Sequence, residues 1–182
     1  RLENQEINGS QEWFSLDEQL RQIILLFENQ WTEKNLDMDI ELESVDYYGN
    51  PNLLSQVWQN LIDNAVKFTE EGGRISVRLS RVASSVRVSV SDTGIGMSEE
   101  VKEHIFERFY QGDSSHSTQG NGLGLALAQR IVLLHDGSIE AESPLEPQAP
   151  ASSPAGPSPA AGTASGTQKG RGTTFLVTLP LK

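Results

Sequence analysis

The stretch that decides the fold is NPNLLSQVWQNLIDNAVKF, residues 50–68, because it predicts one helix with two different faces. Asn50 is a candidate N-cap, and Pro51 stands at the first helical position, where its missing N–H is not needed. We expect the helix to end near Thr69, before a pair of glycines. The apolar face recurs at helical spacing and consists of Leu54, Val57, Leu61 and Ala65.

A polar stripe runs along the same helix beside the apolar face. Asn60, Asn64 and Lys67 stand at i, i+4 and i+7 and therefore share one side. An amide oxygen is a suitable ligand for Mg²⁺, which takes few protein donors when triphosphate oxygens complete its shell. Lysine offers a point charge to phosphate. The alternative is a solvated face, although such faces usually carry Glu and Lys rather than two asparagines, which are poor helix formers.

Two alternating strands follow the helix, and the second ends in a carboxylate. RISVRLSR, residues 74–81, and SVRVSVSD, residues 85–92, each place apolar side chains on one face, with VASS as the hairpin connection. The alternation puts Asp92 on the valine face, where a carboxylate needs a partner. In the following DTGIG, Gly94 and Gly96 let the backbone turn sharply and approach a ligand. The alternative is an ordinary turn capped by Asp92.

A third signal is a glycine run in QGNGLGLALAQR, residues 119–130. Gly120, Gly122 and Gly124 alternate ahead of a helix that we expect to end near Leu134. The run does not match GxGxxG, because no strand precedes it and Leu125 follows Gly124, and it lacks the Gly-Lys-Ser/Thr of a P-loop. It does open a helix N-terminus, where free amides favour phosphate.

The other segments predict a mixture of helices and strands. A capping box of Ser15 and Glu18 opens the first helix. The expected elements are a helix at about 17–33, a strand at 38–44, a helix at about 99–109, and strands at 138–143 and 173–180. Between the last two strands, residues 144–169 are mostly Pro, Ala, Gly, Ser and Thr and predict a disordered excursion in a hairpin. A proline-rich ligand for a partner is the alternative.

Composition limits the class of protein. A chain of 182 residues fits one domain, and a net charge of -11 argues against binding nucleic acid. The sequence has no cysteine, which excludes disulfides and thiolate zinc sites. Its apolar runs are far shorter than the roughly 20 residues that span a bilayer, so we expect this piece to be soluble.

In order along the chain, NLIDNAVKF, DTGIGM, IFERFYQGD and GNGLGLALAQRIVLLHDG resemble the N, first glycine, F and second glycine boxes of the sensor histidine kinase ATP-binding domain. The resemblance implies the Bergerat fold of the GHKL superfamily. This is a two-layer α/β sandwich with a mixed, mostly antiparallel sheet of about five strands and about three helices on one face. GTTFLVTLP, which follows, suggests a sheet-closing strand. ATP and Mg²⁺ would lie between helices under a mobile lid at about 97–119.

The resemblance also implies roles for individual residues. Asn64 would coordinate Mg²⁺, while Asn60 and Lys67 would meet phosphate or metal-bound water. Phe68 would lie near the nucleotide. Asp92 would accept from the adenine amino group, a contact that rejects guanine by leaving the carboxylate unpaired. The set implied to bind the nucleotide is Asn60, Asn64, Lys67, Phe68, Asp92, Gly94, Gly96, Gly120, Gly122, Leu123 and Gly124.

This chain departs from the family pattern at the positions that would supply a cation to the γ-phosphate. Many relatives carry an arginine where this chain has Gln111, and some carry a lysine where it has Ser114. Arg108 is then the nearest cation in its box and joins Asn60 and Lys67 as an implied catalytic residue. The alternative for Arg108 is a surface ion pair. Phe106 and Phe109 would anchor the lid by packing.

The resemblance finally implies a division of labour within a longer protein. Residues 1–13 would be a linker after a missing dimerisation and phosphoacceptor domain, and residues 14–182 would form the ATP-binding domain. None of the three histidines has the acceptor context of an acidic residue and Thr-Pro, so His116 and His135 are expected to be structural or solvent-exposed. The domain would be monomeric and cytoplasmic, within a membrane-anchored parent that signals to a response regulator.

Two other functions compete with histidine phosphorylation. A regulatory nucleotide-binding module without transferase activity is motivated by Gln111 and Ser114. An ATPase of the chaperone type is disfavoured, because hydrolytic members carry a glutamate where this chain has Asn60, and an amide cannot deprotonate water.

We expect deletion of residues 144–169 to leave the thermal unfolding midpoint and nucleotide affinity nearly unchanged. The physical reason is that loop-closure entropy depends only weakly on loop length. Thermal unfolding and ADP titration of the two proteins measure the effect. A collapse of the fold on deletion would contradict the disordered excursion.

Overall fold

A computed structural model describes residues 11–107, 124–143 and 172–181. In chain order, these ranges contain β1 (Glu12–Ser15), α1 (Leu16–Leu26), α2 (Glu28–Glu33), β2 (Asp37–Leu42), β3 (Asp46–Gly49), α3 (Pro51–Phe68), β4 (Arg74–Val82), β5 (Ser85–Asp92), α4 (Glu99–His104), α5 (Gly124–Leu134), β6 (Ser138–Glu142) and β7 (Thr173–Pro180). Within them, no helix has the length and apolar character needed to cross a membrane.

Five strands form one mixed sheet in the order β2-β4-β5-β7-β6. β2 and β4 are parallel, since α3 lies in the crossover between them, and the other neighbouring pairs are antiparallel. The predicted mixed, mostly antiparallel sheet is confirmed. The expected closing strand, β7, instead lies inside the sheet, because it pairs with β5 as well as with β6, and β6 forms the edge.

Helices cover one face of this sheet and leave the other polar. Alternate side chains of the central strands are fully buried in the core, among them Val77, Val88 and Val177. The opposite face carries ion pairs between neighbouring strands, such as the 2.7 Å contact of Arg78 with Asp39. The three longer helices, α1, α3 and α5, form the second layer, with α3 in contact with both others.

The beginning of α3 is anchored to the end of α5. Asn50 caps the helix as predicted, since its side chain accepts from the Leu53 N–H at 3.0 Å. The Asn50 N–H donates to Nε2 of His135 at 3.1 Å, so this ring nitrogen is an acceptor. The ring therefore donates from Nδ1 to the Ile131 carbonyl at 2.9 Å. His135 is 5 % exposed and has a structural role, whereas His116 lies outside the described residues.

Sequence reasoning missed a two-stranded antiparallel sheet formed by β1 and β3. Phe14 and Tyr47 pair on its inner side, where Tyr47 is buried in the core. Trp13 and Tyr48 pair on the outer side, and Trp13 remains 61 % exposed. Each strand has only four residues, so alternation is too short to predict it. β1 includes two residues of the segment that we assign to the linker.

Several predicted boundaries differ from the structure, most of all in the helices. The helix expected at 17–33 is two helices, because Phe27 leaves helical geometry with φ -101° and ψ 13°. Neither Pro nor Gly marks this break, so the sequence has no signal for it. The strand expected to reach residue 44 ends at Leu42, and the helix expected at 99–109 ends at His104, where a turn replaces it. Phe106 packs edge-to-face on Phe175, while Phe109 lies outside the described residues.

Candidate functional site

The polar stripe lies along the half-exposed side of α3. Asn60, Asn64 and Lys67 are each partly exposed, as are the neighbouring Asp63 and Phe68. The other side of the helix is buried in the core. The stripe therefore presents polar side chains that a ligand can reach.

Asn60 connects the stripe to the first residue of α5. Its Nδ2 donates to the Gly124 carbonyl at 2.9 Å. Because a carbonyl oxygen can only accept, the amide nitrogen faces α5 and Oδ1 remains an acceptor. A Cβ at Gly124 would lie 3.3 Å from Oδ1, which is tighter than most such contacts. Glycine at this position thus permits the close approach of the two helices.

The side chains of Asn64 and Lys67 differ in their contacts with the rest of the domain. Within the described ranges, the Asn64 side chain makes no hydrogen bond, so its amide oxygen has capacity for a ligand. The Lys67 ammonium lies 3.1 Å from the Asp63 carboxylate, and these side chains are 30 % and 37 % exposed. Pairs this exposed contribute about 0.5 kcal/mol. Exchange of this ion pair for a contact with a phosphate group would therefore cost little.

Asp92 ends β5 on the same face as the buried valines, as predicted. It stands in register with Ile75 and Thr173. Burial raises its pKa to about 6, while hydrogen bonds from the backbone N–H groups of Gly94 and Thr173 act in the opposite direction. No cation pairs with Asp92 in the part of the chain that the structure describes. The carboxylate therefore keeps unused acceptor capacity in a desolvated position.

The loop after Asp92 packs against the end of α3. A Cβ at Gly94 would collide with the Phe68 carbonyl oxygen, and the Ile95 N–H donates to the same oxygen at 3.3 Å. Gly96 has φ +77°, which favours glycine. We expected these glycines to allow close approach to a ligand. At Gly94, the close approach is to the helix itself.

The described residues thus place the α3 stripe between the Asp92 loop and the start of α5. Four predicted residues, Arg108, Gly120, Gly122 and Leu123, lie outside the described ranges, as does most of the expected lid. No group of three His, Asp or Glu side chains in the described ranges is arranged to hold a metal by itself. A metal ion at Asn64 would therefore meet an amide oxygen rather than a carboxylate cluster in these ranges.

The family model of histidine kinase-, DNA gyrase B- and HSP90-like ATPases matches residues 49–182, which include every predicted site residue. The chain belongs to this family of ATPases. It therefore contains an ATP-binding domain, and the fold predicted from the resemblance is confirmed.

Named relatives of this ATP-binding domain include a sensor protein and a histidine kinase. The heme sensor protein HssS of Staphylococcus saprophyticus is 41 % identical over 140 residues, which cover 75 % of this chain and 30 % of that protein. The catalytic domain of the histidine kinase ThkA is 28 % identical with a TM-score of 0.72, covering 94 % and 96 % of the two chains. ThkA in complex with the response regulator TrrA is 26 % identical with a TM-score of 0.70, covering 94 % and 42 %.

This chain spans 30 %, 25 % and 33 % of the length of three curated relatives that it matches. These comparisons therefore identify the domain, and the activity of the whole protein is proposed separately.

Lys34 binds the C-terminal end of α3 in the ATP-binding domain. This residue was not identified from the sequence. Its Nζ donates to the carbonyls of Val66, Lys67 and Thr69 at 2.6, 3.1 and 2.9 Å. A cation at a helix C-terminus also interacts favourably with the helix dipole. Lys34 acts on carbonyls 32 to 35 positions away, so no local pattern could have identified it.

The other two terminal carbonyls of α3 have partners as well. Ala65 accepts from the N–H and the hydroxyl of Thr69, at 3.1 and 2.6 Å. Phe68 accepts from Ile95 in the Asp92 loop. All four carbonyls that a helix leaves without helical partners are therefore satisfied. Lys67 therefore stands on a fixed last turn, and Asn64 directly precedes that turn.

We expect Lys34→Met to lower the free energy of unfolding by about 2 kcal/mol, because two helix carbonyls lose their charged donor. Urea unfolding followed by tryptophan fluorescence measures the change. Lys102→Met, which removes a lysine from α4, serves as the matched control. Equal effects of the two substitutions would contradict the role of Lys34.

The raised pKa of Asp92 predicts a pH-dependent difference in stability from Asp92→Asn. Between its ordinary pKa of 3.8 and about 6, the folded state holds a proton that the unfolded state has released. Asp92 therefore contributes stability at low pH that is lost as pH rises through about 6. The unfolding free energy of the nucleotide-free wild type, relative to that of Asp92→Asn, should be higher at about pH 5 than at about pH 7.5. A pH-independent difference in urea unfolding would show that burial does not perturb this carboxyl.

Proposed function

We propose that this chain is the catalytic domain of a sensor histidine kinase, which binds ATP with Mg²⁺ and transfers the γ-phosphate to a histidine on a separate domain. The observation that carries the proposal is Asn60, one turn before Asn64, with its amide committed to Gly124. Hydrolytic members of the superfamily carry a glutamate there, and a carboxylate can deprotonate the attacking water. An amide cannot, so the phosphate goes to an acceptor side chain rather than to water.

The relatives support the same assignment. HssS is named a sensor protein and ThkA a histidine kinase, and ThkA was solved with a response regulator. Because this chain covers only part of its relatives, we assign the acceptor histidine to a dimerisation domain elsewhere in the parent protein. Residues 1–13 are the linker to that domain, and residues 14–182 are the kinase domain. A response regulator is the partner that takes the phosphate from the acceptor histidine.

Asn64 is the residue that we assign to Mg²⁺. Its amide oxygen fits the ion, because the side chain is half-exposed and makes no hydrogen bond in the described ranges. Phosphate oxygens and water would supply the rest of an octahedral shell. When bound, the ion would neutralise charge on the phosphates.

Lys67 and Asn60 are the residues that we assign to the phosphates. Lys67 stands one turn after Asn64 and supplies a positive charge, and its ion pair with Asp63 is half-exposed. Asn60 keeps its Oδ1 to accept from metal-bound water. Contacts of Arg108 with the γ-phosphate, and of Gly120, Gly122 and Leu123 with the nucleotide, stay predictions of the resemblance.

Asp92 is the residue that we assign to adenine. A desolvated carboxylate without a cation gains a hydrogen bond from the adenine amino group. Guanine offers no such bond, because its carbonyl at the same position can only accept, so the carboxylate would stay unpaired. Phe68, Gly94 and Gly96 would form the wall beside the base. Gly124 would bring the α5 backbone to the phosphates.

The domain would act on the cytoplasmic side of a membrane-anchored parent, where its substrate ATP is found. A membrane anchor and the sensed signal would belong to other parts of that protein.

The test is phosphate transfer to a separate fragment that carries an acceptor histidine on a dimerisation domain, with γ-labelled ATP and Mg²⁺. We expect acid-labile label on that fragment. Asn64→Ala should abolish Mg²⁺-dependent ATP binding and transfer while leaving the thermal unfolding midpoint nearly unchanged, because the side chain is half-exposed. Asn52→Ala, an exposed asparagine of the same helix, is the matched control and should transfer normally.

Other outcomes would identify the competing functions. Intact ADP binding without transfer in any pairing would indicate a regulatory module, which the departures at Gln111 and Ser114 would then explain. Steady phosphate release that survives Asn60→Ala would indicate an ATPase of the chaperone type. Normal Mg²⁺-dependent binding by Asn64→Ala would overturn the metal assignment.

A further inference from the structure

Ser143 places a buried hydroxyl where β6 ends. The residue is 7 % exposed. Its Oγ donates to the Gly172 carbonyl at 2.6 Å and accepts from the Met97 N–H at 2.9 Å. One side chain therefore joins the residue before β7 to the loop after β5. Ser143 itself belongs to none of the predicted motifs, whereas Met97 ends DTGIGM and Gly172 begins GTTFLVTLP.

Gly172 continues the connection to the Asp92 loop. Its N–H donates to the Gly94 carbonyl at 3.1 Å, and a Cβ there would collide with the Asp92 carbonyl oxygen. Its φ of +55° also favours glycine. The next residue, Thr173, donates its N–H to the Asp92 carboxylate. The start of β7 thus supports both the backbone and the side chain of Asp92.

We propose that Ser143 is a positioning residue for the nucleotide, acting through the loop from Asp92 to Met97. This inference rests on the proposed function, since it assumes that this loop holds adenine. The hydroxyl fixes the far end of the loop at Met97, while the Gly172 backbone fixes the near end at Gly94. The loop is then held at both ends before a nucleotide arrives.

A hydroxyl is suited to this position because it donates and accepts at the same atom. Alanine would leave the Met97 N–H and the Gly172 carbonyl without this hydrogen-bond partner, and each unpaired group would destabilise the present loop conformation. The loop would then populate positions that do not fit adenine, and the apparent affinity would fall by the fraction of molecules lost to them.

The same contact joins the two ends of the connection that contains residues 144–171. Ser143 and Gly172 are the two residues that flank this segment, and they are joined directly by the hydrogen bond. The base of the β6–β7 connection is therefore closed by a side chain, whatever the length of chain between its ends. This closure gives a structural reason for the small effect that we expect from deleting residues 144–169.

The test compares Ser143→Ala with Ser91→Ala. Ser91 is the matched control, since its hydroxyl also bridges two segments, by a 2.9 Å hydrogen bond to Thr174 on the open face of the sheet. ADP affinity is measured by calorimetry well below the unfolding midpoints, and exchange of the Met97 amide is followed by NMR without nucleotide. We expect Ser143→Ala to bind ADP about tenfold more weakly and Ser91→Ala to stay within about twofold of wild type. Exchange at Met97 should accelerate only in Ser143→Ala.

Unchanged ADP affinity with a protected Met97 amide in Ser143→Ala would overturn the inference, as would equal weakening in Ser91→Ala. If Ser143→Ala does not fold, Ser143→Cys takes its place, because a thiol is similar in size but a weak hydrogen-bonding group, and the same results are expected. Failure of the wild type to bind ADP would instead overturn the proposed function. In that case, Met97 exchange in the two variants would still decide whether the hydroxyl holds the loop.

Discussion

The last turn of α3 presents four backbone carbonyls that have no partner within the helix, and the site depends on how the fold satisfies them. The Lys34 ammonium donates to the carbonyls of Val66 and Lys67. The Ile95 N–H, in the loop after Asp92, donates to the carbonyl of Phe68. The hydrogen bonds of these terminal carbonyls therefore also set the distance between the polar stripe of α3 and the Asp92 loop. An alternative position of the loop would break the hydrogen bond between the Ile95 N–H and the Phe68 carbonyl.

Asp92 shows why this support is needed. A carboxylate with a pKa raised to about 6 is ionised at neutral pH at a cost in stability, and two backbone N–H groups offset only part of that cost. The fold tolerates the cost because Asp92 stands between Gly94 and the start of β7, where the backbone cannot easily relax. Residues that combine burial, ionisation and unused hydrogen-bonding capacity are concentrated at functional sites.

The sheet explains how distant segments reach this place. Its open face is polar and carries ion pairs between strands, so only the other face can pack helices. That constraint places α3 and α5 side by side on one face of the sheet, with Asn60 against Gly124. The beginning of α3 is held in turn by His135 at the end of α5. Both ends of the central helix are thus fixed by residues from other elements.

Local sequence was sufficient for α3, for the alternating strands and for the shared side of Asn60, Asn64 and Lys67, because caps and periodicity act over a few residues. It also put Asp92 on the buried face, since side-chain alternation along a strand is strict. Only the tertiary structure decided the contacts of Lys34 and Ser143, the pairing of β1 with β3, and the inner position of β7. Each of these joins segments far apart in the chain, and a hydrogen bond between such segments leaves no periodic trace in either one.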